Sequence, residues 1–338
     1  MSGRMGLETA STLAAALVGL AGAAAPAAAL EAVKFGTNWK AEAEHGGFYQ
    51  AVADGSYKAC GLDVTIVPGG PQANNRILLP AGKVDFYMGG NLLEGFSSVE
   101  QGIPTKVVAA IFQKEPQVLL AHPGEFKTFE ALKDAKLFLA NDGYNSYYQW
   151  MIAEFGFKPE QRRPYTFNPG PFIQDKRSAQ QGYVTSEPHA VEKEGGFKPQ
   201  VFVLADLGFD TYATTIETRT DLIEKKPAVV QCFVDASIKG WYVYLYGDNK
   251  AANDLIKKDN PDMTDEQIAF SIQAMKEYGI VDSGDTLTKG IGAMTDARFK
   301  SFFDKMVKAK VVAPTVDYTK AYTLAFVNKG VGLDLKKP

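Results

Sequence analysis

The 338-residue chain has two cysteines and three histidines, and neither number supports the chemistry those residues usually carry. Cys60 and Cys232 cannot build a disulfide scaffold or a thiolate metal site. They read as two buried thiols, although an oxidising compartment permits a bridge between them. His45, His122 and His189 lie in separate segments, and no serine or cysteine nucleophile sits on a recognisable strained turn beside one of them. Also absent are Gly-x-x-x-x-Gly-Lys, His-Glu-x-x-His, Gly-x-Ser-x-Gly and Cys-x-x-Cys. "GIGAM" from Gly290 lacks the third glycine of a dinucleotide fingerprint and reads as a turn. The formal net charge of -3 and pI of about 5.8 give no sign of a nucleic-acid partner, which normally shows a strongly basic face or pI.

What is present begins with a leader. Arg4, the apolar run Leu13 to Leu20 and the small residues Ala27 and Ala29 form a secretory signal peptide pattern over 1–29, too short in its apolar part to span a bilayer. About 309 residues then remain, enough for two domains.

Short β-like runs alternate with helical segments along that remainder. "VKFGTNW" precedes a helix from about His45 to Tyr57. "GLDVTIV" alternates Leu62, Val64 and Ile66 with Asp63 and Thr65, and "KVDFYMGG" and "TKVVAAIF" follow. A second series starts at "QVLLAHPG" and continues through the strands "KLFLAN" and "RPYTF", a helix from Tyr144 to Phe155, a helix "FIQDKRSAQQG" ending at Gly182, and the strands "YVTS" and "VFVLADLG". The pattern predicts parallel strands with crossover helices. After "TYATTIETR" the chain becomes helical, with Thr264 and Gln267 set as a capping box and Thr295 as a further helix start. The organisation predicted is an α/β protein of two lobes, 30–121 plus 212–338 and 122–211, joined by two crossings.

Polar residues recur where strands end, the place where open α/β sheets bind ligands. Asn38 and Trp39 close the first strand. Gly70 lies in "GGPQANN", Gly90 and Asn91 in "GGNLLEG", Asn141 and Tyr144 in "NDGYNSYYQW", and Asn168 follows "RPYTF". Tyr183 and Glu187 lie in "GYVTSEPHAVEKEGG". Glu42, Glu44 and His45 admit a metal-ligand reading, but negative charge ahead of a helix is favourable on its own. They are read instead as the electrostatic entrance to that helix at the pocket rim, and Glu42, Glu44, Glu94 and Glu187 together count as candidate cleft carboxylates, which favour a neutral to cationic nitrogen heterocycle over an anion.

The segments "TNWKAEAEHGGFYQAVADGSYKACGLDVTIVPGG", "GKVDFYMGG", "QGIPTKVVAAIFQKEPQVLLAHP" and "GYVTSEPHAVEKEGG" resemble periplasmic substrate-binding proteins of ABC importers of the nitrate, sulfonate and taurine type. Within these, they are most similar to the branch that includes thiamine-pyrimidine binding proteins and fungal thiamine pyrimidine synthase. The resemblance implies a two-lobe binding-protein fold that closes on a small molecule, ABC permease subunits as partners, no cofactor, a periplasmic location and a monomer. It implies a ring stacked on Trp39, with Tyr144 or Tyr183 as a second face, polar capture by Asn38, Asn91 and Glu187, and Glu187 meeting a ring amino group. The synthase itself requires a lysine for pyridoxal phosphate, a histidine it consumes and a cysteine-rich motif. Gly89 to Gly95 holds no lysine or histidine, and two cysteines are no cluster. A binding protein rather than an enzyme is therefore expected.

Overall fold

The computed structural model describes residues 1–3 and 29–336, so nearly all of the expected leader lies outside the described residues. Two five-stranded sheets organise the chain. The first has the order β2 (Leu62–Val67), β1 (Glu31–Thr37), β3 (Phe86–Asn91), β10 (Ala213–Arg219), β4 (Thr105–Phe112). The second has β7 (Arg162–Pro164), β6 (Lys136–Leu139), β8 (Ser178–Tyr183), β5 (Gln117–Ala121), β9 (Gln200–Val203).

Both sheets are mixed, not parallel as expected: β10 runs antiparallel to β3 and β4, and β5 antiparallel to β8 and β9. The cause is the path of the chain, which leaves the first sheet after β4 and returns to insert β10 between β3 and β4. Because β5 already pairs in the second sheet, the first passage lies at 113–116, ahead of the boundary expected at 121/122. The return occupies 204–212.

The first lobe packs around the helix Pro227–Tyr246, whose Phe233 ring stacks on Phe86 at 4.0 Å and meets Phe35 at 5.2 Å. The helix Gly46–Ala53 lies directly on it. A Cβ on Gly46 would fall 2.0 Å from the Tyr244 ring, and one on Gly47 2.1 Å from Trp241. The glycine pair is thus an adaptation for close helix packing, and it holds the preceding turn Ala43–His45 against the core.

Local signals account for many element ends. Thr264 and Thr295 accept the backbone N–H groups of Gln267 and Arg298 at 3.1 and 3.4 Å, as N-caps do. The reciprocal half of the capping box at Thr264 is not formed, because Gln267 Nε2 instead donates to the Ser186 carbonyl at 3.2 Å. The helix expected over "FIQDKRSAQQG" is shortened to Gly170–Gln174, and Ser178–Tyr183 is the central strand β8. Asp175 turns the chain there by accepting the N–H groups of Arg177 and Ser178 at 3.0 Å each, and pairing with β5 and β6 overrides local preference. The helix predicted from Tyr144 to Phe155 is two helices, Asn141–Asn145 and Tyr147–Phe155, broken at Ser146.

Cys60 and Cys232 form a disulfide, with Cα atoms 5.8 Å apart, which corrects the expectation of two thiols. The bridge ties the end of the short helix Ser56–Ala59 to the helix Pro227–Tyr246, inside the first lobe.

Candidate functional site

A narrow cavity lies between the lobes, where the carboxyl ends of β1, β3, β6 and β8 meet the start of β10. Its walls carry Asn38, Trp39, Glu42, Glu44, His45 and Met88 from the first lobe, Asp142, Gln181, Tyr183 and Glu187 from the second, and Gln117 and Thr214 beside the passages. The space open to the centre of a water-sized sphere is about 40 Å³. That is room for a few waters, so a ring-sized occupant requires the lobes to part.

The lobes touch at this cavity and around it through direct bonds. Asn38 Nδ2 donates to Asp142 Oδ2 at 3.1 Å, Asn91 Nδ2 to Ser146 Oγ at 2.7 Å, and Gln72 Nε2 to the Tyr165 carbonyl at 3.1 Å. Thr185 donates its hydroxyl to Glu44.

The electrostatics of the cavity are dominated by carboxylates. Burial pushes the pKa of Glu44 up to about 8 and those of Asp142 and Glu187 up to about 7, and it raises Glu42 well above the ordinary carboxylate range, with Glu44 and Glu187 adding to the effect. Burial also depresses His45 to about 3, so its imidazole is neutral. Among the described residues no lysine or arginine lines the cavity. Lys40 instead pairs with Asp262 and covers the Phe167 ring at 4.7 Å. Arg76 bonds Glu94 and approaches Glu217 at 3.6 Å.

Several acceptors lack partners. Oε2 of Glu42, Oε2 of Glu44 and Oδ1 of Asn38 are buried without a hydrogen bond among the described residues, as is Nδ1 of His45. Glu187 differs, because Oε1 accepts the Tyr165 hydroxyl at 3.1 Å and Oε2 the Tyr183 N–H at 2.8 Å. Among the described residues no group of three or more His, Cys, Asp or Glu is arranged to hold a metal ion.

An aromatic wall closes one side. Trp39 faces Tyr165 with ring centroids 6.4 Å apart and planes 12° from parallel, and Phe167 meets Trp39 edge-on at 6.2 Å. Phe167 and the cavity residue Thr214 adopt left-handed backbone, with φ of 62° and 47°. Such strain costs about 1 kcal/mol or more for a bulky or branched residue and persists only where the surroundings enforce it.

The structure therefore brings Asn38, Trp39, Glu44, His45, Tyr183 and Glu187 together. Glu44 and His45 are not rim residues as expected; with 1 % and 2 % exposure they lie inside the wall, and Glu42 offers no side-chain cap to the helix. Gly90 adjoins the site, since a Cβ there would meet Asp142 at 3.2 Å and Asn38 at 3.4 Å. Asn141 lines a neighbouring hollow with Asp142 and Arg76, and Asn168 an outer vestibule with Phe167 and Glu187.

Three expectations about individual residues are corrected. Asn91 caps the helix Leu92–Glu100 and bonds Ser146 instead of facing the cavity. Tyr144 is stacked under the Arg162 guanidinium at 4.5 Å and packs on Tyr148, which removes it as a ring face. Gly70 is outside the cavity wall, its nearest neighbour being the Lys40 side chain. Asp142 and Tyr165 were missed, although Asp142 adjoins the expected Asn141 in a βα turn and Tyr165 is the aromatic in "RPYTF", so both had a local signal. Glu42, expected among the cleft carboxylates, does line the cavity.

Residues 42–251 match the family model described as NMT1/THI5 like. The chain belongs to this family. No curated protein sequence matches it significantly. Among solved structures, this NMT1/THI5-like protein is similar to the periplasmic aliphatic sulphonate binding protein of Escherichia coli, with 17% identity, TM-score 0.58, and coverage of 86% of this chain and 91% of that one. It is similar to the zinc-bound ligand binding component of an ABC-type import system from Staphylococcus aureus, with 13% identity, TM-score 0.62, and coverage of 88% and 97%. It is also similar to the periplasmic nitrate-binding protein of Synechocystis, with 13% identity, TM-score 0.54, and coverage of 86% and 84%. At these identities the likeness establishes the periplasmic binding protein fold.

Proposed function

We propose that this NMT1/THI5-like protein is the periplasmic solute-binding component of an ABC importer and captures a small nitrogen heterocycle of the aminopyrimidine kind. The observation that carries the reading is a cavity lined by four buried carboxylates, a neutral histidine and an aromatic wall, with no lysine or arginine among the described residues. A sulfonate or nitrate anion there would face unpaired acceptors at high cost. A ring edge bearing N–H donors satisfies them with charge-assisted hydrogen bonds. Trp39 and Tyr165 supply flat faces for the ring.

Binding proceeds by entry of the ring into the opened cleft against Trp39, polar capture by Asn38 and the carboxylates, and closure of the second lobe, whose contacts with the ligand bias the closed state. No covalent step is needed. Mass spectrometry of whatever small molecule co-purifies with the protein tests the reading, together with titration calorimetry of a hydroxymethyl aminopyrimidine against taurine and nitrate. Tight binding of the pyrimidine with silence from both anions supports it. Taurine or nitrate binding in its place removes it.

A further inference from the structure

We infer that the cavity takes its ligand as a cation, in exchange for a proton held among the carboxylates that line it. The inference rests on the reading of the protein as a binding protein, and goes further by fixing the charge of the bound species.

The first support is the direction of the unmet hydrogen bonds. Glu42 and Glu44 are 4 % and 1 % exposed, line the cavity, and each leaves Oε2 without a partner; Asn38 Oδ1 is left in the same condition. Asn38 Oδ1 is an acceptor, and each glutamate Oε2 becomes one when its carboxyl ionises, so an occupant that satisfies all three together is a donor that leaves the site ionised.

The second support is the charge around them. Glu187 closes the same cavity from the helix Glu187–Gly195, and Asp142 from the turn after β6. The other groups that face the carboxylates are the phenols of Tyr165, Tyr183 and Tyr147, the Thr185 hydroxyl on Glu44, the neutral His45 and, near Asp142, the further carboxyls of Glu94 and Glu115. The Tyr244 hydroxyl lies close enough to feel the charge of Glu44. The basic groups nearest the cavity are already engaged, Lys40 with Asp262 and Arg76 with Glu94 and Glu217.

Four carboxylates packed this way cannot all be ionised in a space cleared of bulk water, since each charge loses its hydration and repels the others. The empty cavity therefore retains protons, consistent with the values of about 7 and 8 at Asp142, Glu187 and Glu44. A cation entering the cavity stabilises the ionised form. One carboxylic O–H bond then breaks, its proton leaves to the solvent, and the carboxylate remains as the counter-ion of the ligand. The exchange conserves charge within the site and needs no further reactant.

Two probes of nearly equal shape test it: benzamidinium, an aromatic cation, and benzamide, its neutral counterpart. Calorimetry near pH 7 in phosphate and in Tris, buffers of different ionisation heat, counts protons. Release of about one proton per benzamidinium bound, with affinity rising several-fold from about pH 6 to about pH 7, is the expected result. Benzamide should bind at least about tenfold more weakly, a factor equivalent to about 1.4 kcal/mol. Equal binding of the two probes, or a benzamidinium heat independent of buffer, overturns the inference. Hydroxymethyl aminopyrimidine is titrated in parallel. If it binds while benzamidinium does not, the solute-binding reading stands and the charge inference falls; if neither binds, both fall.

Discussion

Asn38, at the end of β1, donates a 3.1 Å hydrogen bond to Asp142 on the opposite lobe, so closure of the cleft is held in part by a bond that spans the cavity itself. The bond uses an Asn38 nitrogen and leaves Oδ1 free, and it gives one of the buried carboxylates a donor. A bond of this kind, between an amide and a buried carboxyl group, contributes about 1 kcal/mol to the closed state. Asn38→Ala should open the unliganded protein, seen as a larger radius of gyration by solution X-ray scattering, and weaken aminopyrimidine binding about fivefold or more. An unchanged scattering curve together with unchanged affinity would show that the bond contributes nothing to closure.

The buried acids set a direction for the pH dependence of stability. Glu44 rises from an ordinary 4.5 to about 8 in the folded state, and Asp142 and Glu187 reach about 7. A carboxyl whose folded pKa is raised binds its proton more tightly folded than unfolded. Its contribution is fully present below the unfolded pKa and is lost as pH rises through the folded value. The unliganded protein should therefore melt at progressively lower temperature from about pH 5 to about pH 8. Glu44→Gln, which cannot ionise, should flatten that slope in a thermal melt series. A melting temperature that instead rises across this interval would contradict the burial of these groups.

Much of the architecture was legible because it is locally encoded. Leu62 and Val64 alternate with Asp63 and Thr65 along β2, and Thr264 and Thr295 announce helix starts through their own side chains. The failures share a cause in distance along the chain. Nothing in "SAQQG" signals a strand; β8 exists because β5 and β6 flank it. The Cys60–Cys232 bridge joins residues separated by 172 positions. Glu42 and Glu44 read as charges at the rim ahead of a helix, and their full burial as cavity walls follows from the second lobe, carrying Asp142, Thr185 and Glu187, closing over them. Strand ends pointed to Asn38 and Trp39 on the first lobe and to Tyr183 and Glu187 on the second, and all four line the cavity; that Asn91 and Tyr144 turn away from it depended on their contacts with Ser146 and Arg162.

Trp39 provides an optical reporter of occupancy. The chain has three tryptophans, and the other two, Trp150 and Trp241, are 3 % and 0 % exposed within the cores. Only Trp39 borders the cavity, opposite Tyr165. Titration with an aminopyrimidine should quench or shift the emission, and Trp39→Phe should abolish that change while a calorimetric signal persists. Trp39→Ala, which also removes the ring face, should weaken binding about tenfold, as expected for loss of one aromatic contact and its buried area. Persistence of the full emission change in Trp39→Phe would place the ligand elsewhere.

The disulfide makes a prediction that separates stability from binding. Cys60 and Cys232 close a long loop of the first lobe, and cross-links of that length stabilise by about 3 to 5 kcal/mol, chiefly by restricting the unfolded chain. The bridge joins the back of the helix pair formed by Ser56–Ala59 and Pro227–Tyr246, away from Asn38, Glu44 and Glu187. Replacing both cysteines by serine should lower the denaturation midpoint by an amount corresponding to that range, and reductant should do the same to the unmodified protein. Ligand affinity, measured well below the transition, should stay within about twofold, since the cavity walls do not touch the bridge. A large loss of affinity with little loss of stability would mean that the bridge shapes the cleft instead of restricting the unfolded chain.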